Sequence, residues 1–456
     1  MFKKVVVANR GEIALRIIRA CRELGIATVA IFSEADRTAL HVRLADEAFC
    51  VGPGPSSRSY LNIANIISTA MITGADALHP GYGFLAENAR FAQICADHGV
   101  TFIGPSPEVI AQMGDKARAK EMMERAGAPV IPGSGVLASV SEAVAAARAL
   151  GYPVMLKATA GGGGRGMRRI MEERELESAF HAAESEAESN FHDGRLYMEK
   201  LVVQPRHVEV QVLADAHGGI VHLGERDCSI QKPAHQKLIE EAPAPSLDHE
   251  LRERLCATAV AAARACGYTN AGTLEFLVSG DGFYFMEMNT RIQVEHPVTE
   301  LIFGVDLVKE QIRIAAGEPL GFAQTDLSPH GHAIECRINA EDPQRNFAPA
   351  AGFVSSVELP GGPGIRVDTQ LFAGLSIPPY YDSLLAKIVA VGRTRASAIA
   401  RMERALAETR IEGVKTTTEL CREILRDARF LEGGVAIDFL HAGLLTERQA
   451  ALAGGA

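Results

Sequence analysis

The sequence contains no tryptophan, and aromatic residues make up only 6% of it. Binders of single-stranded nucleic acid stack bases on aromatic side chains, and little material for such platforms exists here. Positive charge is also in deficit. Lys and Arg number 46 against 56 Asp and Glu, a formal charge of −10. That balance argues against a general grip on nucleic acid while leaving local basic sites open. No apolar run approaches the ~18 uninterrupted residues of a membrane helix. Phe2-Lys3-Lys4-Val5-Val6-Val7 has the charge and the short apolar stretch of a signal peptide. It is interrupted at Asn9-Arg10-Gly11-Glu12 with no small-residue cleavage site, so a first β-strand is expected instead. None of the eight cysteines forms a Cys-x-x-Cys pair. They read as reduced core residues of a cytoplasmic protein.

What is present is ordinary globular material. The chain has 456 residues, 47% of them hydrophobic and 22% charged, enough for two or three folding units. The first third alternates strand and helix. Strands are expected at 4–8, 27–32, 75–79 and 101–103, and helices at 12–24, 61–72 and 89–97, with Gly25, Gly74 and Gly99 as helix stops. Strands separated by helices imply a parallel sheet covered on both faces. A charged helix over 115–125 ends at the hinge-like Gly127-Ala128-Pro129. A second unit follows, with strands at 154–157 and 197–200 and an acidic, solvated helix over 175–189. A third unit, from about 203, is richer in strands (207–213, 219–223, 272–277, 282–288), with helices at 250–265, 307–316 and 395–407. The division expected is 1–131 as a Rossmann-like unit, 132–202, and 203–446, with 447–456 as a flexible tail.

The most informative local feature is Lys157-Ala-Thr-Ala-Gly161-Gly-Gly-Gly164-Arg-Gly166. A strand ending in Lys runs into four glycines, whose backbone N–H groups reach phosphate oxygens without Cβ obstruction. The loop lacks the Walker arrangement, and its preceding Lys separates it from a Rossmann fingerprint. A plain glycine linker is the bland alternative. Second, Glu275 lies between Leu274 and Phe276, and Glu287 between Met286 and Met288, with Asn289 next. Two carboxylates and an amide on adjacent strands suit Mg²⁺. The alternative is that both acids face solvent on one side of a hairpin. Third, Asn289-Thr-Arg291-Ile-Gln293-Val-Glu295-His296 is dense in polar groups. Arg291 offers a planar fork for a small oxyanion, and Glu295 is a candidate base. Fourth, Arg226 to Gln231 and His235-Gln236-Lys237 fit ribose or phosphate contacts beside a β-hairpin.

Taken together, these residues resemble biotin carboxylase. The resemblance is carried by Asn9-Arg10-Gly11-Glu12-Ile13-Ala14, His79-Pro-Gly-Tyr-Gly-Phe-Leu85, Met113-Gly-Asp-Lys116, the 161–164 loop and Pro205-Arg-His-Val-Glu209. It continues through Glu287 to His296, Glu335-Cys-Arg-Ile-Asn339 and Pro379-Tyr-Tyr-Asp-Ser383. The motifs keep their order from residue 1 to about 445. The resemblance implies an α/β protein with an N-terminal Rossmann-like parallel sheet domain, an ATP-grasp lid over 132–202 that closes on nucleotide, and a C-terminal α+β domain. It implies ATP-dependent carboxylation of biotin N1 with bicarbonate and Mg²⁺ or Mn²⁺. Lys116, Lys157, Gly163 and Gly164 would then bind phosphates. Glu199, Lys200, Leu201 and Val202 would line the adenine pocket, His207 and Gln231 would meet the ribose, and His235 the nucleotide. Glu275, Glu287 and Asn289 would hold the metal beside ATP. Lys237, Arg291, Gln293 and Val294 would hold bicarbonate with Glu295 as general base. Arg337 would stabilise the biotin enolate near Tyr82 and Gly83.

One departure is visible. The family reads Gln-Arg-Arg-His-Gln-Lys where this chain reads Gln231-Lys-Pro-Ala-His-Gln-Lys237, one residue longer and without the two arginines. The Met-Lys-Met turn of biotin acceptor domains is absent, and little sequence follows the third unit. A stand-alone subunit is therefore expected, meeting a separate biotinylated carrier protein and carboxyltransferase subunits, as a homodimer in the cytoplasm. Acetyl-CoA carboxylase is the leading context. Propionyl-CoA or pyruvate carboxylation, another ATP-grasp carboxylate–amine ligase, and a nucleotide sensor with a dead site are the alternatives.

Overall fold

The computed structural model describes residues 1–159, 167–191, 193–233 and 236–447, apart from the side chains of Ala117, Asn190 and Phe191. The glycine run 161–164 and His235 lie outside the described residues, as does all of the expected tail except Glu447.

Five strands, β1 (Lys4–Val7), β2 (Ala27–Ser33), β3 (Glu47–Gly52), β4 (Ala77–His79) and β5 (Thr101–Phe102), form a parallel sheet in the order β3-β2-β1-β4-β5. After Lys4 its central strand is apolar, Val5, Val6 and Val7 being fully buried, as expected of a sheet covered on both faces. Helix Gly11–Glu23 turns Ile13, Ile17 and Cys21 onto one face of that sheet. Three antiparallel strands, β6 (Val154–Ala158), β7 (Met167–Ile170) and β8 (Leu196–Lys200), make a second, small sheet in the order β7-β6-β8.

The third sheet is the largest and antiparallel. It runs β13 (Gly282–Asn289), β12 (Asn270–Ser279), β9 (Arg206–Ala214), β10 (Ile220–Lys232), β11 (Gln236–Ala242) and β14 (His332–Asn339), then Leu384–Gly392 and Ile365–Thr369. The hydrophobic cores divide unequally. The first sheet shares one: Val5, Ile13 and Ile17 pack with Leu213, Leu223, Ile292 and Ile312 from the large-sheet region. The small sheet has a core of its own, drawn only from 137–198 and including Leu156, Phe180 and Met198. Connecting segment 130–137 bridges both neighbours, Val130 to Phe285 and Gly133 to Glu199.

Two expectations are corrected and one element is added. The charged helix expected over 115–125 is present as Lys116–Arg125, and a further helix, Pro107–Gly114, precedes it across Asp115. Ser106 caps that preceding helix and Pro107 occupies its first turn, a favourable start. The strand expected at 219–223 continues to Lys232 as β10, with register shifts between His222 and Glu225 and again after Asp227. Its charged residues do not end it because each finds an internal partner: Glu225 with Arg252, Arg226 with Glu209, Asp227 with Arg206. Seven cysteines are buried, but Cys50 is exposed.

Phe276 anchors the large-sheet core. It is fully buried and meets Phe283 edge-on at 5.4 Å and Phe285 at 6.2 Å. Phe276→Ala should therefore cost about 3–5 kcal/mol, read as a lower urea midpoint for the large-sheet transition. An unchanged midpoint would contradict this packing.

Candidate active site

Register aligns a row of charges across four strands of the large sheet. Arg226 on β10 opposes Glu209 on β9, Glu209 opposes Glu275 on β12, and Glu275 opposes Glu287 on β13. Like charges directly opposite repel, so the row stands only with cations inserted. Arg226, fully buried, gives Nε to Glu209 at 2.6 Å. It is therefore committed to the sheet, which corrects the expectation that it contacts ribose or phosphate. Lys237 on β11 supplies the second cation. Its ammonium donates to Glu209 (2.6 Å), Glu275 (2.9 Å) and Glu295 (2.7 Å). Burial would lower the lysine pKa, but these three carboxylates raise it well above its ordinary value. Conversely, burial would raise Glu275 and Glu295. Lys237 and His207 hold Glu275 well below the carboxylate range, and Lys237, Arg337 and Arg226 do the same for Glu295.

Around this centre the remaining groups fall into place. His207 Nε2 stands 3.0 Å from Glu275, and its Nδ1 meets Gln231 Nε2 at 2.8 Å. Asn289 and Gln293 donate to Glu275 at 2.8 and 3.0 Å. The guanidinium of Arg291 donates to Asn289 and Gln293, each at 2.9 Å. Arg337 donates to the second oxygen of Glu295 at 2.9 Å. On the small sheet, Glu199 accepts from Lys157 (2.5 Å) and Lys120 (3.0 Å). Tyr82 donates to Glu12. Lys200 turns its amine to the Gly151 and Tyr152 carbonyls. Lys232, in the departing segment, points inward to Glu341 at 2.5 Å and lies 5.5 Å from the Phe347 ring.

Apart from Arg226, the described candidate residues line a single cleft of about 1590 Å³ between the three sheets, from Tyr82 and Gly83 through Lys116 and Leu201 to Val294 and Arg337. Glu287 lies on its open wall, where desolvation and the opposed Glu275 raise its carboxyl. Two facing carboxylates with an amide oxygen alongside are a donor set that a hard divalent cation satisfies. The ammonium of Lys237 already fills the neighbouring centre between Glu209, Glu275 and Glu295. Sequence reasoning missed Glu209 and Lys120, and also the apolar wall of Leu277, Phe285 and Ile437. Alternation of an acid with valines in β9 was the available signal for Glu209; apolar strand residues carry none.

A mixed α/β chain with an antiparallel sheet, a small second sheet and a charged cleft between them defines an ATP-grasp fold. The family model described as "Carbamoyl-phosphate synthase L chain, ATP binding domain" matches residues 115–323. On either side, biotin carboxylase N-terminal and C-terminal domain models match 1–110 and 335–442. The biotin carboxylase of a Nostoc species is 56% identical over 96% of this chain and 98% of its own. One pyruvate carboxylase component, from Methanothermobacter thermautotrophicus, is 53% identical over 96% and 90%. The biotin carboxylase domain dimer of 2-oxoglutarate carboxylase from Hydrogenobacter thermophilus, solved with MgADP, ADP and bicarbonate, superposes with a TM-score of 0.91. It is 53% identical and matches over 97% of this chain and 98% of its own. The chain belongs to the biotin carboxylase family.

Below the cleft, Glu240 and Glu335 oppose each other on β11 and β14, both fully buried. Arg337 Nε approaches Glu240 at 2.6 Å, out of hydrogen-bond alignment, and none of the four carboxyl oxygens has an aligned partner among the described residues. Burial pushes Glu240 up to about 7 and Glu335 well above the carboxylate range. A raised carboxyl holds its proton folded but loses it unfolded, so stability falls as pH rises above about 4.3 toward the folded pKa. Glu335→Gln removes that penalty. Its stability relative to the parent should improve by about 1–3 kcal/mol between pH 5 and 8, measured by urea unfolding at both pH values. A difference independent of pH would refute the raised carboxyl.

Proposed function

We propose that the chain carboxylates biotin N1 on a carrier protein, consuming ATP and bicarbonate. The observation that carries this reading is the double engagement of Glu295. One oxygen is held by Lys237 and the other by Arg337, so one carboxylate links the cation for bicarbonate to the cation for biotin. Bicarbonate is a poor nucleophile until its proton is removed. Glu295 is ionised throughout the working range and stands beside Arg291, Gln293 and Val294, the groups assigned to the anion. As bicarbonate draws Lys237 toward itself, Glu295 loses a stabilising cation and becomes more basic. The deprotonated anion attacks the ATP γ-phosphate, giving carboxyphosphate and ADP. Carboxyphosphate decomposes to CO₂ and phosphate, the phosphate takes the N1 proton, and Arg337 stabilises the biotin enolate that attacks CO₂.

ATP lies against Lys116, Lys157, Glu199, Lys200, Leu201, Val202, His207 and Gln231, with Gly163, Gly164 and His235 assigned by resemblance. Glu275, Glu287 and Asn289 would hold Mg²⁺ or Mn²⁺, which when bound supplies charge neutralisation for the phosphates. The self-contained core of the small sheet supports a lid over 132–202 between units at 1–131 and 203–446. The dimeric Hydrogenobacter relative supports a homodimer. No helix among the described residues is long and apolar enough to cross a membrane, which accords with a cytoplasmic subunit working with a biotin carrier and a carboxyltransferase. Acetyl-CoA carboxylation is the favoured context. Relatives of similar identity carry biotin, pyruvate and 2-oxoglutarate carboxylase names, so the final acceptor is chosen by the partner.

Glu295→Gln keeps shape and removes the base. The catalytic rate should fall roughly 10²–10⁴-fold, with the KM for ATP near normal. Arg337→Ala should spare bicarbonate-dependent ATP cleavage more than carboxybiotin formation; equal losses of both in the two variants would break this division of roles. Lys157→Ala removes a charge-assisted phosphate contact of about 1.5–3 kcal/mol and should raise the KM for ATP about tenfold or more. An unchanged KM would remove Lys157 from the phosphate site.

A further inference from the structure

Arg291 is the assigned fork for bicarbonate, and its guanidinium is held from a different unit of the protein. Glu87 lies in the loop between β4 and helix Ala89–Asp97. It accepts from Arg291 Nε at 2.9 Å with one oxygen and from the Thr290 backbone N–H at 3.1 Å with the other. Among the described residues, the terminal amines of Arg291 donate to neutral acceptors: the Ile292 carbonyl and the side-chain oxygens of Gln293 and Asn289. An incoming anion can displace neutral oxygens from the amine edge, whereas Glu87 grips the opposite, Nε edge. Burial opposes the charge on Arg291, and Glu87 is the largest influence that sustains it.

The loop that presents Glu87 is stiff. Asn9 Nδ2 donates to the carbonyls of Pro80 (2.6 Å) and Tyr82 (2.8 Å). Phe84 adopts φ +41°, a region rare for residues with a Cβ, and its ring stacks on Tyr60 at 5.0 Å. Asn88 then caps the following helix through the Phe91 N–H. Glu87 therefore stands on a fixed platform, and the same loop carries Tyr82 on the biotin side of the cleft.

We propose that Glu87 is a positioning residue for the bicarbonate site: it clamps Thr290 and Arg291 so that the terminal amine edge of the guanidinium faces the anion. The inference rests on the assignment of Arg291 to bicarbonate. It is tested by steady-state kinetics of the full-length chain with free biotin, comparing Glu87→Ala, Glu87→Gln, Arg291→Ala and the Glu87→Ala/Arg291→Ala double variant. KM values are insensitive to the amount of folded enzyme. Because a displacement of 1 Å can cost about 10²-fold, Glu87→Ala should raise the KM for bicarbonate about tenfold or more and leave the KM for ATP within about twofold. Glu87→Gln, which retains one oxygen acceptor, should recover part of the loss. The double variant should bind bicarbonate no worse than Arg291→Ala alone, since Glu87 acts through Arg291. If Arg291→Ala leaves the KM for bicarbonate unchanged, the bicarbonate assignment itself fails. If Arg291→Ala raises it while Glu87→Ala does not, or if the two effects multiply independently in the double variant, the positioning role is overturned.

Discussion

One ammonium holds the centre of this protein together. Lys237 is the common partner of Glu209, Glu275 and Glu295, which arrive from β9, from β12 and from the loop after β13. Without it, three nearly solvent-free carboxylates would face one another, and each unpaired buried charge costs several kcal/mol. The arrangement is thus both structural and chemical. The lysine that permits two strands and a loop to bring acids together is also the charge that keeps Glu295, the proposed base, ionised. Any ligand that competes for Lys237 changes the basicity of Glu295 directly, because the two are in hydrogen-bond contact.

The large sheet is consequently polar on a scale unusual for a sheet so well buried. Charged residues sit in its central strands at Glu209, Arg226, Glu240, Glu275 and Glu335, all 5% exposed or less. Buried charges are tolerated when paired and costly when not. Most of this set is paired. Glu240 and Glu335 are the exception: Glu240 has only the misaligned Nε of Arg337 beside it, and burial raises both carboxyls. A sheet assembled this way gives up stability that an apolar core would contribute, and gains a row of fixed charges whose spacing is set by strand register.

The same polarity explains which parts of the fold were legible in the sequence. The parallel sheet of the first hundred residues reads directly, because Val5 to Val7 and Ala27 to Phe32 are apolar runs and the intervening helices end at glycines. The far half of β10, and strands β11 and β14, do not read as strands, since Glu225-Arg226-Asp227, Glu240-Glu241 and Glu335-Cys-Arg337 look like solvated segments until their partners are known. Those partners are distant in sequence: Arg226 pairs with Glu209, and Glu241 with His332 and Arg395. Among site residues, Glu275 and Glu287 were legible because each acid is flanked by large apolar neighbours. Glu209 was passed over although it follows the same pattern, and Glu87 had no pattern at all, its role depending on an arginine 204 positions away. The resemblance supplied the assignments of Lys116, Val202 and Tyr82, which no local periodicity would have singled out.

The way the cores divide bears on how the cleft works. Groups assigned to bicarbonate and biotin stand on elements tied into shared packing, where Val5, Ile13 and Ile17 of the first unit interlock with Ile292 and Ile312. Lys157 and Glu199 stand on the small sheet, whose core is drawn from 137–198 alone. A unit with a closed core can shift as a body without opening a cavity, while elements sharing one core cannot part without exposing apolar surface. On the proposed reading, the small sheet with Lys157 and Glu199 is the wall of the cleft able to move, and the large sheet is its fixed reference. The proposed reaction through carboxyphosphate would benefit from that asymmetry: the reacting carbon must stay in register with the biotin nitrogen after the nucleotide bond has broken, and the groups proposed to hold it stand on elements that share one core.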